Sequence, residues 1–97
     1  MSEQILTITS ATLAPERADE VVAAYEALLA QPFPDGLTHT ELVHDGAGGW
    51  AIHTWWRDRG VLDAMRALPE PPAAPTLFRT LGAEPSLSIR TVVRASE

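Results

Sequence analysis

The 97-residue chain contains no cysteine and no lysine. Without cysteine there is no disulfide framework, no thiolate nucleophile and no cysteine-ligated zinc. Every basic residue is an arginine, and the seven of them are outnumbered by 13 acidic residues, for a formal net charge of −6. Phosphate backbones bind basic faces, so nucleic acid is not an expected partner. No apolar run approaches the length that spans a bilayer, and no basic stretch leads into an apolar segment at the N-terminus. The expectation is a cytoplasmic protein without a membrane partner. Aromatic residues are scarce at 6%, yet all three tryptophans fall in one run, Trp50 to Trp56.

What is present reads as one domain over residues 1–97. An apolar fraction of 45% is ordinary for a folded chain and argues against disorder. A domain of this size buries only about 60–65% of its unfolded surface, which favours association. Residues 5–13 alternate as a strand with mildly apolar residues on both faces. Pro15 stands where a helix begins, followed by Ala18, Val21, Val22, Tyr25, Leu28 and Leu29 on one helical stripe. Pro32, Pro34 and Gly36 end that helix. A strand over 37–44 and the turn residues 45–49 lead into the tryptophan strand, where Trp50, Ile52, Thr54 and Trp56 share a face.

Asp58 is a good N-cap for a second helix carrying Val61, Leu62, Met65 and Leu68. The proline-rich stretch 69–75 cannot be regular helix, since each internal proline removes a donor and clashes with the preceding turn. Pro75 suits the first position of a short helix with Leu77, Phe78 and Leu81 inward and Gly82 at its end. A last strand is expected over 86–94. The order βαββαβ predicts an α+β, ferredoxin-like fold, an antiparallel sheet with helices on one face. Ile5 against Leu6 and Ile8, and Ile52 against Trp55, place apolar side chains at both strand parities. The second sheet face therefore needs a cover, and a homodimer would supply it.

The order strand, tryptophan, Arg57-Asp58, helix resembles the antibiotic-biosynthesis-monooxygenase family, small ferredoxin-like chains that pair into a dimeric α+β barrel. The similarity runs from Ile5 to Val93. It includes Asp35-Gly36-Leu37 through Glu41-Leu42-Val43 to Asp45, Trp50 at an aromatic position, Trp56 at the family tryptophan, and Arg57-Asp58-Arg59 at the junction. Pro75-Thr76-Leu77-Phe78-Arg79 is similar to the opening of the family's short last helix. Two positions depart from the pattern. Thr54 replaces an acidic residue two before the tryptophan, and Met65 replaces a helical histidine. The haem-degrading branch uses a first-strand asparagine and a helical histidine. The first strand here has no asparagine and no histidine follows His53, so haem is not expected.

The resemblance implies a cofactor-independent monooxygenase-like protein acting on a small aromatic or polyketide-type molecule. On the same fold it also admits a non-catalytic ligand-binding or structural barrel, or an isomerase. Such an oxygenase needs a base, an apolar slot and flat walls. His53, in mid-strand, is the candidate base, since histidine is the side chain suited to proton transfer near neutrality. Arg90 is the candidate for stabilising an enolate oxygen. Trp55 and Trp56 are candidate walls, with His39 and Tyr25 as further substrate contacts, and Trp56 is the more structural of the two tryptophans. Each has a plain alternative, a hydrogen-bonded strand histidine or a core tryptophan. Pairing Asp45 with Trp50 would put Leu42 opposite His53 and set His44 and His53 diagonally about 7–8 Å apart. A one-residue shift of register removes that relation. Three histidines without motif spacing do not make a metal site, and no metal or organic cofactor is expected.

Overall fold

The computed structural model describes residues 3–95. Strands β1 (Ile5–Thr12), β2 (Leu37–His44), β3 (Gly49–Trp56) and β4 (Ser86–Thr91) form one sheet in the order β2-β3-β1-β4. Every neighbouring pair is antiparallel. Helices α1 (Ala18–Leu29), α2 (Arg59–Arg66) and α3 (Ala73–Thr80) pack on one face. This is the ferredoxin-like arrangement expected from the element order.

Strand parity decides what meets the helices. Ile5, Thr7, Thr9 and Ala11 of β1 are buried, as are Trp50, Ile52, Thr54 and Trp56 of β3. The alternate residues Leu6, Ile8, Ala51, His53 and Trp55 are only half-buried on the open face. In β3 the bulkier apolar set wins the helix side, which leaves His53 and Trp55 facing away.

The helices are shorter or shifted relative to their sequence patterns, for identifiable reasons. In α1, Val21 and Tyr25 are buried, with Ala18, Ala24 and Leu28 beside them, while Val22 and Leu29 stay about 40% exposed. The apolar stripe is wider than the surface it covers. A 3-10 turn, Pro15–Arg17, precedes the helix, and the Arg17 guanidinium bonds Glu20 and the Leu81 carbonyl, tying α1 to the end of α3. In α2, the Asp58 carboxylate accepts from the Val61 N–H at 2.9 Å, as an N-cap should. The helix ends at Arg66, so Leu68 lies outside it and is exposed. Helix α3 begins at Ala73, so the last three residues of the proline-rich stretch are helical after all, and Pro75 is its third residue instead of its first. The first turn has no use for that N–H, so proline fits there. Gly82, at φ +84°, closes α3 with N–H bonds from Gly82 to the Arg79 carbonyl and from Ala83 to the Phe78 carbonyl. Strand β4 stops at Thr91, short of 94, although the Val92 N–H still donates to Gln4 O at 2.9 Å.

The hairpin register differs by one residue from the pairing of Asp45 with Trp50. His44 pairs with Trp50, Leu42 with Ile52, Glu41 with His53 and His39 with Trp55. Asp45 itself sets this register. Its N–H donates to Gly49 O at 3.0 Å, and its carboxylate accepts from the N–H groups of Ala47 and Gly49 at 2.7 and 2.9 Å. Those two backbone donors hold the Asp45 carboxyl below the usual carboxylate range. The expected His44–His53 neighbourhood is therefore absent. His44 stacks on Trp50, ring centres 4.1 Å apart, on the opposite side of the hairpin from His53.

Candidate functional site

The core is divided. One cluster of buried residues contains Ala11, Leu13, Val21, Tyr25, Trp50, Ile52, Leu77 and Phe78. A smaller one contains Ile5, Trp56 and Leu62. Between them the inward positions of the sheet are threonines: Thr7 and Thr9 on β1, Thr54 on β3 and Thr40 on β2. Short side chains in mid-sheet leave space under the helices, and a cavity of about 230 Å³ occupies it. Leu28, Ile52, Trp56, Leu62 and Met65 supply much of its apolar wall. Two proline-bearing segments, 31–34 and 72–75, also line it. Proline fixes φ and limits how far such segments relax, so these walls are stiff.

The floor carries the polar groups. Thr40, Thr54 and Thr7 stand in one row across three strands. The Tyr25 hydroxyl donates to Thr40 Oγ1 at 3.0 Å, and Thr40 Oγ1 lies 3.5 Å from Thr54 Oγ1. The Trp56 indole N–H donates to Thr7 Oγ1 at 3.1 Å, and Thr7 in turn donates to the Thr54 carbonyl at 3.4 Å. Thr40 accepts from Tyr25, and between Thr40 and Thr54 either hydroxyl can donate to the other, which leaves one hydroxyl proton of the pair for a ligand. No described buried side-chain polar atom lacks a partner. The cavity offers an incoming oxygen atom hydroxyl partners on an otherwise apolar surface. Among the described residues no carboxylate and no imidazole lines it, and Arg66 is the one ionisable lining residue.

The six candidate residues from the sequence are not brought together. Trp56 lines the cavity, and Tyr25 backs its floor through Thr40. His53, Trp55, His39 and Arg90 belong to the open face, across the sheet. There Glu41 lies between two histidines, its Oε2 3.3 Å from His39 Nε2 and its Oε1 3.9 Å from His53 Nδ1. The Trp55 ring centre is 5.0 Å from that of His39 and 6.0 Å from that of His53. Arg90 pairs with Leu6, which pairs with Trp55, so a strand separates it from His53. His53 and Arg90 therefore cannot serve as base and oxyanion partner inside the cavity of their own chain. The adjacency of Trp55 and Trp56 in sequence hid this, since neighbours in a strand face opposite ways. The threonine row is not legible in the sequence, where no single threonine is distinctive. Its signal is four small hydroxylated residues at inward positions. Among the described residues no group of three His, Cys, Asp or Glu side chains is placed to hold a metal ion.

No protein-family model and no curated protein matches the sequence. Solved structures do match the fold. A Deinococcus radiodurans protein classed with the antibiotic biosynthesis monooxygenases superposes with a TM-score of 0.73 at 16% identity, covering 96% of each chain. The chain has the fold of the antibiotic-biosynthesis monooxygenases. SnoaB of Streptomyces nogalater, a cofactor-independent oxygenase, matches at 0.64 and 18% identity over 97% of both chains. A heme-degrading protein of Mycobacterium tuberculosis matches at 0.61 and 17% identity, covering 100% of this chain and 99% of that one. Thr54 and Met65, the two departures from the monooxygenase sequence pattern, both line the cavity of this chain.

Proposed function

We propose that the protein takes up a small, flat phenolic or quinol-type molecule in the cavity between sheet and helices and oxygenates it without a metal or organic cofactor. The observation that carries this reading is the hydroxyl-floored apolar cavity. A largely apolar pocket with a few convergent polar groups is the usual form of a small-molecule site. An engineered cavity of about 150 Å³ holds a benzene, so about 230 Å³ accommodates more than one ring. Thr40 and Thr54 would hold the ligand's phenolic oxygen, and donors aimed at that oxygen favour its ionised form. Ionisation gives the ring carbon the electron density to attack dioxygen. One oxygen atom stays on the ring as a carbonyl. The other leaves as water with the hydrogens of the former O–H and C–H bonds, so the substrate supplies all the electrons. The fold shared with a cofactor-independent oxygenase supports this chemistry.

Binding without turnover is the second reading, favoured by a specific observation. Among the described residues neither imidazole nor carboxylate reaches the cavity, so proton removal has no strong base from them there. Calorimetric titration and an oxygen electrode, both with 1-naphthol, separate the two. Heat of binding together with enzyme-dependent oxygen uptake is the expected result. Binding without uptake above the buffer rate establishes the second reading. Absence of binding overturns both. The open face, with Leu6, Ile8, Ala51 and Trp55 half-exposed, is proposed to be covered by a second copy of the chain.

A further inference from the structure

Among the described residues the cavity has one charged side chain, and its position selects among ligands. Arg66 ends α2 and lines the cavity together with Gln31 and Phe33, each of the three side chains reaching solvent as well. The walls run from this polar and aromatic rim to the threonine floor. Arg17, Arg57 and Arg59 are ion-paired with carboxylates; Arg66, like Arg79, Arg90 and Arg94, has no ion pair among the described residues, and of these four it alone lines the cavity. In a chain of net charge −6 an unengaged guanidinium at a cavity is a local exception to the surrounding field. Its place in the last turn of α2 is favourable for a cation in any case. That accounts for its charge but leaves its donors free.

Resting on the cavity as the ligand site, we propose that the ligand is an aromatic carboxylic acid whose carboxylate pairs with Arg66 while its phenolic oxygen meets the threonine floor. A guanidinium presents a planar fork that matches a carboxylate with two parallel hydrogen bonds. A single guanidinium balances a single negative charge, so a monoanionic carboxylate suits it better than a phosphate monoester in this acidic protein. The Phe33 ring, 48% exposed, provides a surface for the ligand's flat body beside that head group.

Calorimetric titration of the full chain with 6-hydroxy-2-naphthoate and with 2-naphthol tests the assignment. The two probes share rings and hydroxyl and differ in the carboxylate. The acid is expected to bind about tenfold more tightly, the range of a charge-assisted pair. Arg66→Gln should abolish that preference, so that the acid and 2-naphthol bind alike, and Arg66→Lys should keep part of it. The side chain is exposed, so both variants should fold, which circular dichroism checks. Equal affinities in the wild type, or a preference that survives Arg66→Gln, overturns the inference while leaving the cavity reading intact. Failure of both probes to bind overturns the two together.

Discussion

Trp56 is 5% exposed, and its indole N–H has Thr7 Oγ1 as partner. Trp56→Phe should keep the fold but lose about 1–3 kcal/mol, one buried hydrogen bond plus part of a ring's packing. Urea unfolding measures it, and an unchanged midpoint would show that the indole is dispensable. Thr54→Val is nearly isosteric and removes a floor hydroxyl. It should weaken 1-naphthol binding several-fold in calorimetry with little change in stability. His53→Ala, by contrast, should leave 1-naphthol affinity as it is, because its ring stands on the other side of the sheet. A loss of affinity there would return His53 to the site. At this scale the sequence was legible where one residue has one job: Asp58 capped α2, and Gly82 closed α3. The face chosen by His53 was not legible. It depends on which of two partly apolar strand faces the helices cover, and that is settled by packing across the whole sheet.

Among the elements, the β2–β3 hairpin depends on the Asp45 carboxylate. Its pKa is lowered by the Ala47 and Gly49 N–H groups. A depressed folded-state value means that stability is present above the unfolded value, about 3.9, and is lost as pH falls through the folded one. Asp45→Asn should therefore be less stable than the wild type at neutral pH, with the difference shrinking in acid. Parallel thermal melts at pH 7 and pH 3 check this, and a difference that does not depend on pH would sink it. Gly36, just before β2, packs against α2 at φ +91°, where an added Cβ would collide with the Val61 side chain. At Gly82 the only heavy atom near an added Cβ is the tip of Arg17, at 3.9 Å. Gly36→Ala should thus lower the melting temperature more than Gly82→Ala, where only the positive φ is penalised, at about 1–2 kcal/mol. Element type and order were legible from periodicity and from proline and glycine. Boundaries slipped where a residue is tolerated in more than one place, as with Pro75 inside the first turn of α3.

For the whole molecule, the open sheet face and the divided core each have a consequence. Sheet-to-sheet pairing predicts a dimer by sedimentation at micromolar concentration. Ile8→Arg, on the open face, should yield a monomer that still binds 1-naphthol. A wild-type monomer would refute the pairing. The fold itself was legible because βαββαβ order and apolar residues at both parities are sequence properties. The cavity was not, since a void is defined by what several distant short side chains fail to fill. That void also means that the molecule is held together as two unequal parts. Trp56, Ile5 and Leu62 form the smaller, and the α1–α3 side forms the larger. In hydrogen exchange, the amides of α2 should open at lower free energy than those of α1 in the free protein. A ligand that spans the gap touches Ile52 of the larger part and Leu62 of the smaller. It should slow exchange in α2 most, making the two parts unfold as one and acting as a removable piece of the interior.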